Sequence, residues 1–218
     1  MDSTRSTEPT RSESTLSLPD EGRDFVAFPH RSFAARCPRW YRAHDTARQP
    51  WWFSSESGRF DLSHPRGTLN AASSPECAAR ESLGRVLWGS PSLPESAIDG
   101  RTVSCLELPA VQVADFNCGE AASYGIVPGD VTGPLEDGYT ITQTWAKVMD
   151  LARFDGIIAR SRFAPGAAEC LFLFGPAGEH VKGATLSSET RTLRAIVSTM
   201  PGYSIERTPS SDELCIEE

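Results

Sequence analysis

Residues 58–81 read GRFDLSHPRGTLNAASSPECAARE. The centre of this stretch is a local folding instruction. HPRG at 64–67 is a Pro/Gly turn, and TLNAA at 68–72 is a short strand. Ser73 or Ser74 then supplies a hydroxyl for free helical N–H groups, and Pro75 suits a first turn. A helix is therefore expected over 75–87, PECAARESLGRVL, weakened where Gly84 falls. Arg59 stands before the strand in a turn-like setting, and Glu81 stands inside the helix. A strand running straight into a capped helix would bring the two toward one place, with Asn70 between them.

Outward from this unit, short strands alternate with modest helices. Trp40–Ala43 reads as the first strand, and TVSCLELP at 102–109, Gly156–Ala159 and Cys170–Phe174 read as further strands. Thr142–Leu151 reads as a helix with Trp145, Val148 and Met149 on one face. The Gly- and Pro-rich region 110–138 reads as a long loop with short helical pieces, and loops of that length are often functional. Residues 1–22 are polar and offer almost nothing to bury, so they read as a disordered tail; 206–218 read as a loose acidic tail. The folded part is 23–205. The pattern fits an α+β fold better than a doubly wound α/β sheet. Neither GxGxxG nor GxxxxGK[ST] occurs, so the common nucleotide-binding loops are absent.

Composition narrows the function classes. The chain has 218 residues, 39% of them hydrophobic, which suits one globular domain with tails. Its net charge of −8 gives no basic footprint for nucleic acid. The basic side chains are nearly all arginine, with lysine only at 147 and 182, so forked guanidinium groups are at hand for an anionic small molecule. The cysteines at 37, 77, 105, 118, 170 and 215 form no CxxC, and the four histidines show no HxxxH, so no metal site is expected. Free thiols in a reducing cytosol are the simplest reading. The N-terminus lacks the apolar core of a secretory signal, and no apolar run is long enough for a membrane span. A cytoplasmic location is the expectation.

Four blocks now carry a resemblance. YRAH at 41–44, GRFD at 58–61, GTLNAASSPECAARE at 67–81 and FDGIIARSRF at 154–163 resemble, in order and spacing, the RES domain family. That family is named for an arginine, a glutamate and a serine. The resemblance spans about residues 36–175. It implies an ADP-ribosyltransferase-like fold of mixed, mainly antiparallel sheets flanked by short helices. It also implies NAD as substrate rather than cofactor, cleaved at the nicotinamide–ribose bond by hydrolysis or phosphorolysis, with protein ADP-ribosylation in some relatives. Many members are toxins, so a helix-turn-helix antitoxin and a homodimer are implied as partners. By position, the family arginine, glutamate and serine fall on Arg59, Glu81 and Ser161, and Arg42 matches a first-strand arginine.

The residue types suit those roles. Breaking the glycosidic bond develops positive charge on the ribose, which a fixed carboxylate such as Glu81 stabilises. Nicotinamide leaves from a cationic ring, so no general acid is needed. Arg59 and Arg42 can grip a pyrophosphate, and Ser161 can bond an amide or a ribose hydroxyl. Ser161 lacks the GxSxG setting of an acyl-enzyme nucleophile. Each residue also has a plainer reading. Arg59 would be a surface arginine in a turn, Glu81 a solvated partner of Arg80 or Arg85, Ser161 a strand end, and Arg42 the partner of a structural acid. Trp51, Trp52 and Phe53 would be packing, and His44, His64 and His180 surface groups.

One position departs from the family pattern. Where the family carries a tyrosine before the helix, this chain has Asn70, which offers hydrogen bonds but no aromatic face. Three outcomes follow: the pocket takes NAD with a nearby aromatic such as Phe60 or Trp52 substituting, the reaction is altered or a related nucleotide is the substrate, or rapid turnover is lost. Three functions compete: an NAD glycohydrolase or phosphorylase acting as a toxin, a biosynthetic or ADP-ribosyl-transferring enzyme with a specific acceptor, and a non-enzymatic nucleotide-binding module.

Overall fold

The computed structural model describes residues 16–20, 22–87, 90–133, 138–179 and 186–207, without the side chains of 186–188. In chain order the strands are β1 (His30–Phe33), β2 (Trp40–Asp45), β3 (Trp52–Phe53), β4 (Arg66–Ala72), β5 (Ser92–Pro94), β6 (Arg101–Leu106), β7 (Val111–Asp115), β8 (Gly156–Arg160), β9 (Glu169–Pro176), β10 (Gly178–Glu179), β11 (Leu186–Thr192) and β12 (Ser204–Glu206). The α-helices are α1 (Pro75–Leu83), α2 (Pro128–Thr132), α3 (Thr140–Leu151) and α4 (Leu193–Val197).

The strand–cap–helix unit forms as its sequence directs. Ser74 is the N-cap of α1, accepting a hydrogen bond from the Cys77 N–H, and Pro75 opens the first turn. Gly84 ends the α-helix, and a 3-10 turn carries the chain on to Leu87. The region 110–138 differs from its loop reading. Val111–Asp115 is a strand inside the sheet, followed by a 3-10 turn over Gly119–Tyr124 and then α2. The first strand is His30–Phe33 rather than Trp40–Ala43; it pairs antiparallel with β7. Leu16, placed by the sequence reading in the N-terminal tail, is buried, and the Trp145 indole N–H donates to the Ser17 carbonyl at 2.9 Å. Residues 1–15 and 208–218 lie outside the described residues.

Eight strands form one mainly antiparallel sheet in the order β1-β7-β8-β9-β4-β2-β6-β11, with only β7 and β8 parallel. The sheet has a seam. β4 pairs with β9 over seven residues but with β2 only at Tyr41–Ala72. Both faces are covered. Leu69 and Ala71 of β4, Ile158 of β8 and Leu171 and Leu173 of β9 join one core with Trp40, Trp51 and Phe53. Successive strand residues point to opposite faces, so Ala72, Ala159, Cys170 and Phe172 join the other core, with α1, α3 and α4. Asn70 shares this second face, and the site lies there.

Candidate active site

A cavity of about 270 Å³ opens on that face. Its walls include Arg59, Asn70, Glu81, Tyr139, Arg162 and Phe163, and Cys170 and Phe172 lie along it. The three residues matched to the family signature thus meet in space or nearly so, though they come from a turn, a helix and a strand end.

Glu81 projects from the last turn of α1, a rigid support. Its Oε1 receives the Ser161 hydroxyl at 2.5 Å, the Arg162 N–H at 3.0 Å and the Phe163 N–H at 3.4 Å. Ser161 follows β8 directly and organises the turn beyond it: its Oγ accepts from the Ala164 N–H at 2.9 Å while giving its own proton to Glu81. Charge-assisted bonds of this kind run to roughly twice the strength of neutral ones. One carboxylate oxygen is thereby immobilised. Ser161 positions the acid; it is not placed as a nucleophile.

Arg59 sits in a turn made by Asp61. The buried Asp61 carboxylate accepts from the Gly58 N–H at 2.9 Å and the Ser57 hydroxyl at 3.3 Å. A Cβ at position 58 would lie 2.7 Å from Asp61 Oδ1, so the turn needs glycine. From α3, the Gln143 side-chain amide donates to the Gly58 carbonyl at 2.9 Å and fastens the turn from below. The Arg59 guanidinium then donates to the carbonyls of Val131 at 2.6 Å and Gly133 at 2.9 Å, at the end of α2, and lies 5.2 Å from the Tyr139 ring centre. Burial lowers its pKa from the ordinary value, and the neighbouring Arg162 cation works in the same direction. Arg59 therefore spends part of its donor fork holding one wall of the cavity.

Arg42 lies at the seam. It lines a second, smaller cavity of about 120 Å³, which shares Asn70 and Glu81 with the first. Its Nε and Nη1 are sealed from solvent and have no hydrogen-bond partner among the described residues. Burial pushes its pKa down to about 10, opposed by the field of Asp61. A guanidinium held this way is still a cation at neutral pH.

Asn70 is exposed at the rim between the two cavities and pairs across the sheet with Phe172. The two aromatic candidates are placed differently from each other. Phe60 borders the cavity but is only 1% exposed, its ring packed against Phe172 at 4.6 Å and Phe116 at 5.9 Å. Trp52 lines neither cavity; β3 pairs it with Glu179, and Arg48 lies 5.3 Å from its ring. An aromatic residue near a motif in sequence says nothing about which face its strand turns. The aromatic surfaces the cavity does own are Tyr139, Phe163 and Phe172. Sequence reasoning passed over them, and over Arg160 and Arg162, although ARSRF already set an arginine on each side of Ser161.

A wider groove between residues 61–66 and α3 lies away from Glu81, and its Arg66 is already paired with Asp150 at 2.6 Å. Among the described residues, no cluster of His, Cys, Asp and Glu is arranged to hold a metal ion, and no helix is long and apolar enough to cross a membrane.

The RES domain family model matches residues 39–194. That is most of the chain, and the protein belongs to the RES domain family. A search of the curated proteins finds none that matches. Among solved structures, the chain resembles one from the crystal structure of the M. tuberculosis MbcT–MbcA toxin–antitoxin complex. The two share a TM-score of 0.55 and 12% sequence identity, over 72% of this chain and 86% of that one. At that identity the likeness is one of fold.

Proposed function

We propose that this RES domain protein cleaves the nicotinamide–ribose bond of NAD, using Glu81 as the group that stabilises the cationic ribose. The observation that carries the reading is the fixed carboxylate: one oxygen of Glu81 is held by Ser161 and the 161–163 turn, and the residue lines the cavity. As the C1″–N bond lengthens, its electron pair moves onto the pyridinium, which departs as neutral nicotinamide. Positive charge grows at C1″ and the ring oxygen. A carboxylate already in place at that point lowers the barrier without reorganising, an effect typically worth roughly 10²–10³ in rate per group removed. Water or another nucleophile then takes the ribosyl carbon from the open face.

The arginines divide the remaining work. Arg162 and the unused donors of Arg59 face the cavity as partners for the diphosphate, and Tyr139, Phe163 and Phe172 give flat surfaces for a ring. NAD is the substrate, and no resident cofactor is invoked. Since the structural neighbour comes from a toxin–antitoxin complex, a toxin role is the leading biological reading, with an antitoxin as partner.

The exposed Asn70 favours a second reading, transfer to a specific acceptor. With asparagine at the rim between the two cavities, the way to Glu81 is less filled than an aromatic residue would leave it. The deciding experiment expresses the protein alone and with candidate antitoxins, while following cellular NAD. Growth arrest with NAD depletion, relieved by a neighbouring gene product, supports the toxin. Normal growth with unchanged NAD contradicts it and leaves the acceptor reading to be tested with purified protein.

A further inference from the structure

Beneath the catalytic corner lie two thiols that the proposed chemistry does not use. Cys77 and Cys170 are each 1% exposed and belong to the same packed core. Cys77 is on α1, one turn before Glu81, so both side chains fall on one helix face. Cys170 is on β9, paired across the sheet with Ala72 on one side and Ala159 on the other, and it lines the cavity. The first turn of α1 is pinned to the start of β9. The Ser73 N–H donates to the Glu169 carbonyl at 2.9 Å, the Glu169 N–H donates to Ser73 Oγ at 3.1 Å, and Cys77 Sγ approaches the same Glu169 carbonyl at 3.9 Å. The Cys77 sulfur is thus held against the residue next to Cys170.

The two thiols also sense each other and the acid. Contact with Cys170 is the largest influence lowering the Cys77 pKa, with Ser161 assisting; Cys77 in turn, together with burial and the Glu81 charge, raises that of Cys170. Cys77 is therefore the partner inclined to ionise. Cys170 keeps its proton and turns it toward Cys77 and Glu81.

We propose that Cys77 and Cys170 are an oxidative modification site: they close to a disulfide under Glu81 and so switch the active site off. With a hydroperoxide as oxidant, the Cys77 thiolate attacks the terminal peroxide oxygen. The O–O bond breaks, and a sulfenic acid forms with loss of an alcohol or water. Cys170 then attacks that sulfur, the S–OH bond breaks, and water leaves. In sum, two thiols and one hydroperoxide give a disulfide, one water and one alcohol, or two waters when the oxidant is hydrogen peroxide. Cys170 lines the cavity, which brings so small an oxidant up against the thiol pair. Closure has two consequences at Glu81. It removes the S–H that faces the carboxylate. It also ties the Cys77 side chain, one turn before Glu81 on α1, covalently to β9 through a bond of about 2 Å.

The consequence for activity rests on the proposed function, whereas disulfide formation does not, so the two are read separately. The full chain bearing Cys37→Ser and Cys215→Ser is treated with hydrogen peroxide, then digested and mapped by mass spectrometry without reduction. The expected result is a Cys77–Cys170 linked peptide pair and a mass lower by two hydrogens. Neither appears in Cys77→Ala or Cys170→Ala, and dithiothreitol reverses the change. NAD cleavage should fall at least tenfold on oxidation, return on reduction, and stay insensitive to peroxide in either alanine variant. Cys77 and Cys170 remaining reduced, or ending as separate sulfinic acids, overturns the proposal. So does a disulfide that leaves NAD cleavage unchanged. If the reduced protein cleaves no NAD at all, the proposed function fails, and the peptide map alone still decides whether the pair closes.

Discussion

The corner around Glu81 and the seam around Arg42 border each other, yet they treat charge in opposite ways. At the corner, the carboxylate is met by a hydroxyl and two backbone N–H groups, and its geometry is complete before any substrate arrives. At the seam, two guanidinium nitrogens of Arg42 are sealed from water and have no hydrogen-bond partner among the described residues. The first arrangement is preorganisation for a charge that develops during reaction. The second is a cost carried by the folded chain, since burying an ion without a partner is unfavourable by several kcal/mol in idealised terms. Removing the charged group should therefore have opposite consequences in the two places.

The largest effect is expected at the corner. Glu81→Gln keeps an acceptor for Ser161 but removes the negative charge, and NAD cleavage should fall by about 10²–10³ with little change in Tm. Steady-state nicotinamide release and a thermal melt check this together; a loss below tenfold would remove Glu81 from the centre of the account. Ser161→Ala comes next. It withdraws one of the three donors to Glu81 and the acceptor for Ala164, so activity should drop by roughly ten- to a hundredfold and stability by about 1–2 kcal/mol. Urea denaturation with parallel kinetics would test whether the two losses travel together.

At the seam the sign should reverse. Arg42→Met replaces a half-buried cation, two of whose nitrogens have no partner among the described residues, by an apolar chain of similar reach, and the unliganded protein should gain about 1–3 kcal/mol. The pH dependence follows. The folded-state pKa of Arg42 is depressed to about 10, below its unfolded value. The penalty is thus fully present at lower pH and is relieved as pH rises through about 10 toward that unfolded value. The gain from Arg42→Met should be flat from about pH 6 to 9 and shrink above 10. A destabilised methionine variant would mean that Arg42 has a partner in solution. The smallest effect belongs to Asn70→Tyr, at the rim common to both regions. A ring there can stack on substrate for about 0.5–1.5 kcal/mol, lowering the KM for NAD a few fold. An unchanged KM would place Asn70 outside the nicotinamide end of the pocket.

Much of this contrast was legible in the sequence, and unevenly so. TLNAASSPECAARE was readable because its information is local: a hydroxyl, a proline and a run of helix formers act within one turn of one another. The strand at Val111–Asp115 was missed because its ladder partners, at 30–33 and 156–158, are distant in sequence, while the surrounding glycines and prolines suggested a loop. Arg59, Glu81 and Ser161 were assigned from the resemblance; Arg59 and Glu81 line one cavity, and Ser161 is hydrogen-bonded to Glu81 behind it. What each one holds was not legible. That Arg59 binds the end of α2, and that Ser161 serves Glu81, depends on where three separated segments meet. Phe60 and Trp52 were offered as ring partners on chemistry alone. Packing against Phe116 and Phe172 buried Phe60, and the pairing of β3 set Trp52 away from the cavity. Cys77 and Cys170, 93 positions apart in the chain, gave no spacing signal at all.

The central claim is that the Glu81 carboxylate, as Ser161 and its turn hold it, cleaves NAD. It is tested most directly by mass spectrometry of NAD incubated with reduced wild-type protein and with Glu81→Gln, in phosphate buffer and in phosphate-free buffer. The account predicts nicotinamide with wild type in at least one buffer, accompanied by ADP-ribose or its 1″-phosphate, and almost none with Glu81→Gln. Intact NAD after long incubation with folded wild-type protein in both buffers, or equal cleavage by the two proteins, would contradict it.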